Sequence, residues 1–134
     1  MSARLEQQLA FLPEVDKLKS VNRANILTDR SRAENTGEHS WHVALFAMVL
    51  ADQAGPDVDI ARVIQMLLIH DIVEIDAGDN PIFDVAATND IEAQEQAAAD
   101  RLFGMLPTDQ AASFRALWDK FEAASTPDAI FAKA

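Results

Sequence analysis

The feature that most constrains the fold is the run Met66–Ile75, an apolar stretch interrupted by three ionisable side chains within five positions. If this run is helical, His70, Asp71 and Glu74 point into one sector, and the remaining faces are apolar. Such a helix has to lie inside the protein, where even a neutral polar group without a partner costs roughly 2–7 kcal/mol. We therefore predict an internal helix whose charged side chains have a compensating partner, and a bound metal ion is the natural candidate.

Apolar residues recur with helical spacing along most of the chain, and no segment shows the alternation that is typical of a β-strand. Residues 20–37 lose this periodicity and carry many polar side chains, which predicts a long extended connection. The fold class is therefore predicted to be all-α. Capping residues and apolar spacing place helices over residues 2–18 with a second turn opening at Pro13, over 37–54, 60–75 and 90–106, from Pro107 onward, and from Thr126 to Ala134.

His70 and Asp71 supply one imidazole and one carboxylate, and a further ligand has to come from another helix. Residues 38–42 offer His39 and His42 on one face. Because the chain has no cysteine, the site has to be built from histidines and carboxylates. Mixed nitrogen and oxygen ligands suit Mn²⁺, Fe²⁺, Co²⁺, Ni²⁺ or Zn²⁺ better than Mg²⁺ or Ca²⁺. We predict that His39, His70 and Asp71 hold a divalent transition metal, and that His42 has a supporting or structural role.

Glu74 follows His70 by one helical turn in this prediction. A divalent metal lowers the pKa of a water that it binds and polarises a phosphoryl oxygen. Glu74 is then well placed to orient or deprotonate that water. Each of these residues, taken alone, could simply be a hydrogen-bonded core residue. His39, His70, Asp71 and Glu74 together predict a metal-dependent hydrolase. Asp79, in the turn that follows, is either a loop residue or a substrate contact.

The charge of the chain limits its partners. A formal net charge of −11 argues against binding long nucleic acid. Five of the eleven basic residues nevertheless lie within sixteen positions, and such a segment suits a small anion such as a phosphate, although it could also be a solvated loop with scattered charges. These residues are Lys17, Lys19, Arg23, Arg30 and Arg32. No apolar run approaches the roughly 18 residues of a membrane span, and the N-terminus does not resemble a secretion signal, so we expect a cytoplasmic protein without membrane contact.

Two stretches of the chain resemble a known family. Glu34–Trp41 and Leu68–Asp79 are similar to the motifs of the HD-domain phosphohydrolases, and the closer match is their 5′-deoxynucleotidase-like branch. The resemblance extends from about Leu18 to about Glu122. It implies an HD-domain helical bundle, often a homodimer, that removes phosphate from nucleoside monophosphates.

The resemblance also implies roles for individual residues. His39, His70 and Asp71 match metal ligands, and Glu74 matches the catalytic carboxylate, so that Glu74 and Asp71 together would orient the attacking water. Arg23 matches an arginine that orients the substrate phosphate. A loop that contacts the substrate is matched by Asp79, Asn80, Pro81 and Ile82.

The chain departs from the family pattern at two places. The deoxynucleotide-selective branch carries an aromatic residue directly after the arginine, where this chain has Ala24. The family also takes a fourth metal ligand from an aspartate on a late helix, and the matching position falls just past Ala134, while Asp128 lies too early in the pattern. We therefore expect residues 1–134 to form a single HD domain that lacks its C-terminal helices and binds metal weakly or not at all.

Two other functions are compatible with these residues. Other branches of the same family hydrolyse phosphodiesters or nucleoside triphosphates, which two adjacent metals would favour. A helical domain that binds a nucleotide or a partner protein without catalysis is also possible, and an incomplete ligand set would favour it. Glu74 and Arg23 argue against the second alternative, because a pure binding module has little use for a carboxylate beside the metal.

Overall fold

The computed structural model of the protein describes residues 2–78 and 85–134. Within these residues the chain forms seven α-helices, two short 3₁₀ helices and one two-stranded antiparallel sheet, so the predicted all-α class is confirmed. In chain order the elements are α1 Ala3–Asp16, a 3₁₀ turn Lys17–Ser20, β1 Asn22–Ile26, β2 Ala33–Asn35, α2 Thr36–Val49, a 3₁₀ turn Ala51–Gln53, α3 Ile60–Ile69, α4 Glu74–Ala77, α5 Val85–Phe103, α6 Thr108–Ala123 and α7 Pro127–Lys133.

The segment that was predicted to be internal lies at the centre of the protein. Val63 and Met66 on α3 are fully buried in a cluster with residues of α2, α6 and α7. Ile72 and Val73, just past α3, belong to a second cluster with α1, α5 and α6. Because it contributes to both clusters, this segment links the two halves of the core. Burial of each such side chain stabilises the fold by roughly 1.5–3 kcal/mol. Only Leu68 departs from the expectation, since it is 48% exposed.

The predicted helix over residues 60–75 is wrong in its second half. The helix α3 ends at Ile69, residues 70–73 form a tight turn, and α4 begins at Glu74. The ring Nδ1 of His70 lies 2.6 Å from the carbonyl oxygen of Leu67, which would otherwise accept the next helical hydrogen bond. The backbone then continues with i→i+3 bonds, such as that from Ile72 to Ile69. His70, Asp71 and Glu74 are therefore brought together by a turn and not by one regular helix.

The connection over residues 20–37 contains strands that the sequence pattern did not predict. Asn22 pairs with Asn35 and Ile26 with Ala33, and the hairpin between them turns at Arg30, whose φ is 62°. Four of the five residues of β1 are exposed, so the strand has no apolar alternation from which it could have been recognised. The hairpin matters for function because it leads directly into α2.

Several helix ends also differ from the prediction. The helix α1 runs through Pro13 without a break, α2 stops at Val49, and α5 begins at Val85, five residues before the predicted start. The starts of α6 and α7 are confirmed, and the Thr126 hydroxyl caps α7 by accepting from the backbone of Ala129. No helix among the described residues combines the length and the apolar character that crossing a bilayer requires.

Candidate metal centre

His39 is presented by the first turn of α2. The start of this helix is fixed by Asn35 and Glu38, each of whose side chains accepts a hydrogen bond from the other's backbone N–H. Glu38 is held in addition by Arg32. The rigid start of the helix places the His39 side chain, which is 18% exposed, between the β1–β2 hairpin and the turn after α3.

His39, His70 and Asp71 converge on one point. Each offers one ligand atom, and these three atoms lie within 4.8 Å of one another. The Asp71 Oδ2 atom lies 3.0 Å from His70 Nε2 and 3.6 Å from His39 Nε2. Within residues 2–78 and 85–134 no other histidine or carboxylate joins this cluster. The three side chains predicted as metal ligands are therefore adjacent in space, and two imidazole nitrogens and a carboxylate oxygen form a donor set that fits a divalent transition metal.

The hydrogen bonding of His70 is that of a histidine prepared to bind a metal. The carbonyl oxygen of Leu67 can only accept, so Nδ1 donates to it and Nε2 faces Asp71. Burial opposes the charged form of this ring, but the hydrogen bond and charge of Asp71, the Leu67 carbonyl and the charge of Glu74 together raise the pKa of His70. The same negative surroundings that favour a proton on His70 would favour a metal cation.

His39 faces the hairpin with its other nitrogen. Its Nδ1 atom lies 2.7 Å from the guanidinium of Arg23 and 3.7 Å from the Glu34 carboxylate. Burial and the positive charge of Arg23 lower the pKa of His39, so this ring is held neutral, as a metal ligand has to be. Glu34 had no predicted role, although it belongs to the motif Glu34–Trp41. Without the hairpin pairing, nothing in the sequence placed it beside Arg23.

Glu74 reaches the site from α4. Its side chain is half-buried, and its negative charge helps to raise the pKa of His70. The short helix α4 is attached to α5 through Asp76, whose two carboxylate oxygens accept from Arg101 at 2.6 and 2.7 Å. Gly78, with a φ of 76°, then ends α4 in a conformation that strongly favours glycine.

Other candidate residues lie elsewhere. His42 is exposed and stacks against Trp41, with ring centroids 5.9 Å apart. Asp128 is buried, but it accepts hydrogen bonds from the backbone of Asp59 and from Arg62, and so joins α7 to α3. The predicted substrate-contacting loop lies outside the described residues. It comprises Asp79, Asn80, Pro81 and Ile82.

A mostly apolar cavity of about 640 Å³ adjoins the two histidines. This volume is within the usual range for sites that bind a small molecule. Among the described residues, Lys133 brings a positive charge to its wall, and it lies over the ring of Phe121 at 5.1 Å. Besides His39 and His70, the wall includes Val43, Phe46, Leu50, Leu67 and Phe131.

The family model described as HD domain matches residues 15–134. The chain belongs to the HD domain family. The predicted membership is therefore confirmed.

The HD domain is similar to curated proteins that are named 5′-deoxynucleotidases. It is 29% identical to 5′-deoxynucleotidase HDDC2 of Homo sapiens over 126 residues, which are 93% of this chain and 60% of that protein. It is 30% identical to 5′-deoxynucleotidase YfbR of Shigella flexneri over 122 residues, which are 85% of this chain and 61% of that protein. The chain thus spans about 60% of the length of these relatives.

Two solved structures resemble this HD domain. A protein from Magnetospirillum magnetotacticum, described as a predicted metal-dependent phosphohydrolase, is 53% identical with a TM-score of 0.90, and the match covers 98% of this chain and 67% of that one. A conserved hypothetical protein from Pyrococcus furiosus is 21% identical with a TM-score of 0.70, over 93% of this chain and 74% of that one. The second likeness supports the fold alone.

Proposed function

We propose that this HD domain is a metal-dependent phosphohydrolase that removes the phosphate from deoxynucleoside 5′-monophosphates. The observation that carries the proposal is the convergence of His39, His70 and Asp71 within 4.8 Å, with Arg23 in contact with His39 and Glu74 close enough to influence His70. The relatives named 5′-deoxynucleotidases support the choice of substrate.

In this proposal His39, His70 and Asp71 hold one divalent ion, for which Mn²⁺, Fe²⁺, Co²⁺, Ni²⁺ and Zn²⁺ are the candidates. Such an ion would lower the pKa of a coordinated water and would place a positive charge beside the phosphoryl oxygens. Glu74 accepts the proton of the water that attacks phosphorus, and Asp71 helps to orient that water. The phosphorus–oxygen bond to the nucleoside breaks, and its oxygen takes a proton from solvent.

Arg23 is proposed to hold the phosphate during this reaction. One terminal nitrogen of its guanidinium is engaged by Glu34 and His39. A guanidinium has five N–H donors, so the remaining ones can bind phosphate oxygens. The nucleoside would occupy the apolar cavity, with Asp79, Asn80, Pro81 and Ile82 as further contacts. Because Ala24 stands where the deoxynucleotide-selective branch has an aromatic residue, we expect the preference for deoxy over ribo forms, and between bases, to be weaker than in that branch.

The proposed substrate class is tested by measuring phosphate release from a panel of compounds in the presence of Mn²⁺, Co²⁺ or Zn²⁺. The panel contains deoxynucleoside and ribonucleoside 5′-monophosphates, nucleoside triphosphates and a simple phosphodiester. We expect turnover of the monophosphates, with the deoxy forms preferred. Faster hydrolysis of a triphosphate or a diester would point to another branch of the family. Tight nucleotide binding without turnover would instead indicate a binding module.

We also propose that the protein is a homodimer that associates through α2 and works in the cytoplasm, where nucleotides are abundant. The helix α2 is apolar on nearly all sides, but several of its large side chains are exposed. These exposed side chains are uncharged, so two copies of a chain with a net charge of −11 can approach each other along them. The exposed side chains are Trp41, Leu45, Phe46, Met48 and Val49.

A charged substitution on this face tests the dimer. We expect Trp41→Glu to convert a dimer into a monomer, because it places a carboxylate within the apolar contact. Light scattering after gel filtration measures the mass, and Leu12→Glu, at an exposed leucine on α1, is the matched control. A monomeric wild-type chain, or a dimer that both substitutions disrupt equally, would contradict the α2 interface.

A further inference from the structure

Glu34 lies on the far side of His39 from Asp71. In the hairpin it precedes Asn35, whose strand partner Asn22 precedes Arg23. The Glu34 Oε1 atom lies 2.6 Å from Arg23, and the side chains of the two residues are only 14% and 22% exposed. The same nitrogen of Arg23 approaches His39 Nδ1 at 2.7 Å, while Glu34 Oε1 is 3.7 Å from that atom. Arg23, Glu34 and His39 therefore form a compact triangle.

The two ring nitrogens of His39 point in opposite directions. Nε2 faces Asp71 at 3.6 Å and belongs to the metal cluster, whereas Nδ1 faces Arg23 and Glu34. A neutral imidazole carries one N–H, and when one nitrogen binds a metal, the other carries the hydrogen and donates it to an acceptor. An acceptor near Nδ1 therefore favours metal binding at Nε2.

Of the two groups that the structure places at Nδ1, only Glu34 can act as this acceptor. An arginine side chain has donors and no acceptor, so in this structure Nδ1 accepts from Arg23, and Arg23 cannot receive a hydrogen from His39. For Nδ1 to donate instead, the contact with Arg23 has to open while Arg23 stays paired with Glu34. A carboxylate accepts through either oxygen, and the 3.7 Å separation from Glu34 closes to a hydrogen bond with a shift of less than about 1 Å.

We propose that Glu34 is a positioning residue that accepts the Nδ1–H of His39 when the metal is bound, and that simultaneously anchors Arg23 for the substrate phosphate. This inference rests on the proposed metal site and on the proposed role of Arg23. One carboxylate then couples the orientation of a metal ligand to the placement of the phosphate-binding arginine.

Calorimetric titration with Mn²⁺ alone separates this role from a merely structural one. Glu34→Ala and Arg23→Ala both break the same ion pair, but only the first removes the acceptor for His39. We expect Glu34→Ala to weaken Mn²⁺ binding by about 10- to 100-fold, the range typical of residues that orient a metal ligand. We expect Arg23→Ala to leave Mn²⁺ binding unchanged or tighter. Equal weakening in both variants would overturn the proposal, because Glu34 would then act only as the partner of Arg23.

A conservative variant and a matched control complete the experiment. The amide oxygen of Glu34→Gln still accepts from His39 but carries no charge for Arg23. We therefore expect Mn²⁺ binding near that of the wild type and a raised KM for deoxyadenosine 5′-monophosphate. Asp109→Asn alters an exposed carboxylate that pairs with another arginine, Arg4, outside the metal cluster, and should leave Mn²⁺ binding unchanged. Melting curves of the metal-free variants verify folding.

Mn²⁺ binding by the wild-type protein separates failure of the proposed metal site from failure of the proposed role of Glu34. If the wild-type protein does not bind Mn²⁺, the proposed metal site and the role of Glu34 both fail. If the wild type binds Mn²⁺ and Glu34→Ala binds it equally well, the role of Glu34 alone is overturned. Loss of Mn²⁺ binding in Glu34→Gln would also overturn it, because the acceptor oxygen is still present.

Discussion

Glu74→Gln is expected to reduce the turnover of deoxynucleoside monophosphates by about 10²–10⁴-fold, the usual contribution of a general base. The amide that replaces the carboxylate has a similar size, but it cannot take a proton from the attacking water. Metal binding should be nearly unchanged, because the cluster of ligand atoms consists of His39, His70 and Asp71. Steady-state phosphate release gives kcat and KM, and calorimetric titration with Mn²⁺ gives the affinity for the metal.

A control for this prediction is Glu6→Gln, which changes an exposed carboxylate on α1 and should leave kcat unaffected. If Glu74→Gln loses metal binding together with activity, Glu74 is a ligand and not the base. If it keeps full activity, the proton goes to another group, and the role of α4 in the mechanism is wrong.

His70→Ala is expected to abolish metal binding and activity together. This residue supplies one of three ligand atoms. Its loss should therefore weaken metal binding by more than the roughly 10- to 100-fold that is typical when only the hydrogen-bond partner of a ligand is removed. The ring is also buried and packs against Phe121 at 4.8 Å, so the alanine leaves a cavity and should lower the melting temperature. Mn²⁺ titration, phosphate release and thermal unfolding are the three measurements.

Two further variants separate ligand loss from destabilisation. Asp71→Asn removes the charge of a second ligand without a change of size, and it should weaken metal binding strongly while the protein remains folded. His42→Ala is the matched histidine control, because His42 is exposed and lies outside the cluster, and it should retain the metal. A folded His70→Ala or Asp71→Asn protein with wild-type metal affinity would place the metal elsewhere.

The parts of the fold that could be predicted from the sequence are those with strong local signals. Thr126 and Pro127 begin α7 as predicted, since a capping hydroxyl and a proline at the first turn act locally. The burial of Val63 and Met66 follows from the apolar character of the segment. His70 and Asp71 were predicted because polar groups in such a segment need a partner, and His39 because a further ligand has to come from another helix.

The features that were missed depend on contacts outside these local patterns. The end of α3 at Ile69 is set by the bond between the His70 ring and the Leu67 carbonyl, which helical periodicity does not reveal. The β1–β2 hairpin is exposed, so its strands have no apolar pattern. Its pairing is what brings Glu34 to Arg23, and for this reason the position of Glu34 beside His39 could not be predicted.

The most direct test of the central claim is the dependence of phosphate release on metal. The protein is first stripped with a chelator, and deoxyadenosine 5′-monophosphate is then supplied while Mn²⁺ or Co²⁺ is titrated. We predict no phosphate release without metal, a saturating increase as metal is added, and loss of activity when the chelator is added again. His70→Ala should release no phosphate under any of these conditions. Release that is equally fast in the stripped protein, or that persists in His70→Ala, would contradict a metal-dependent reaction at this site.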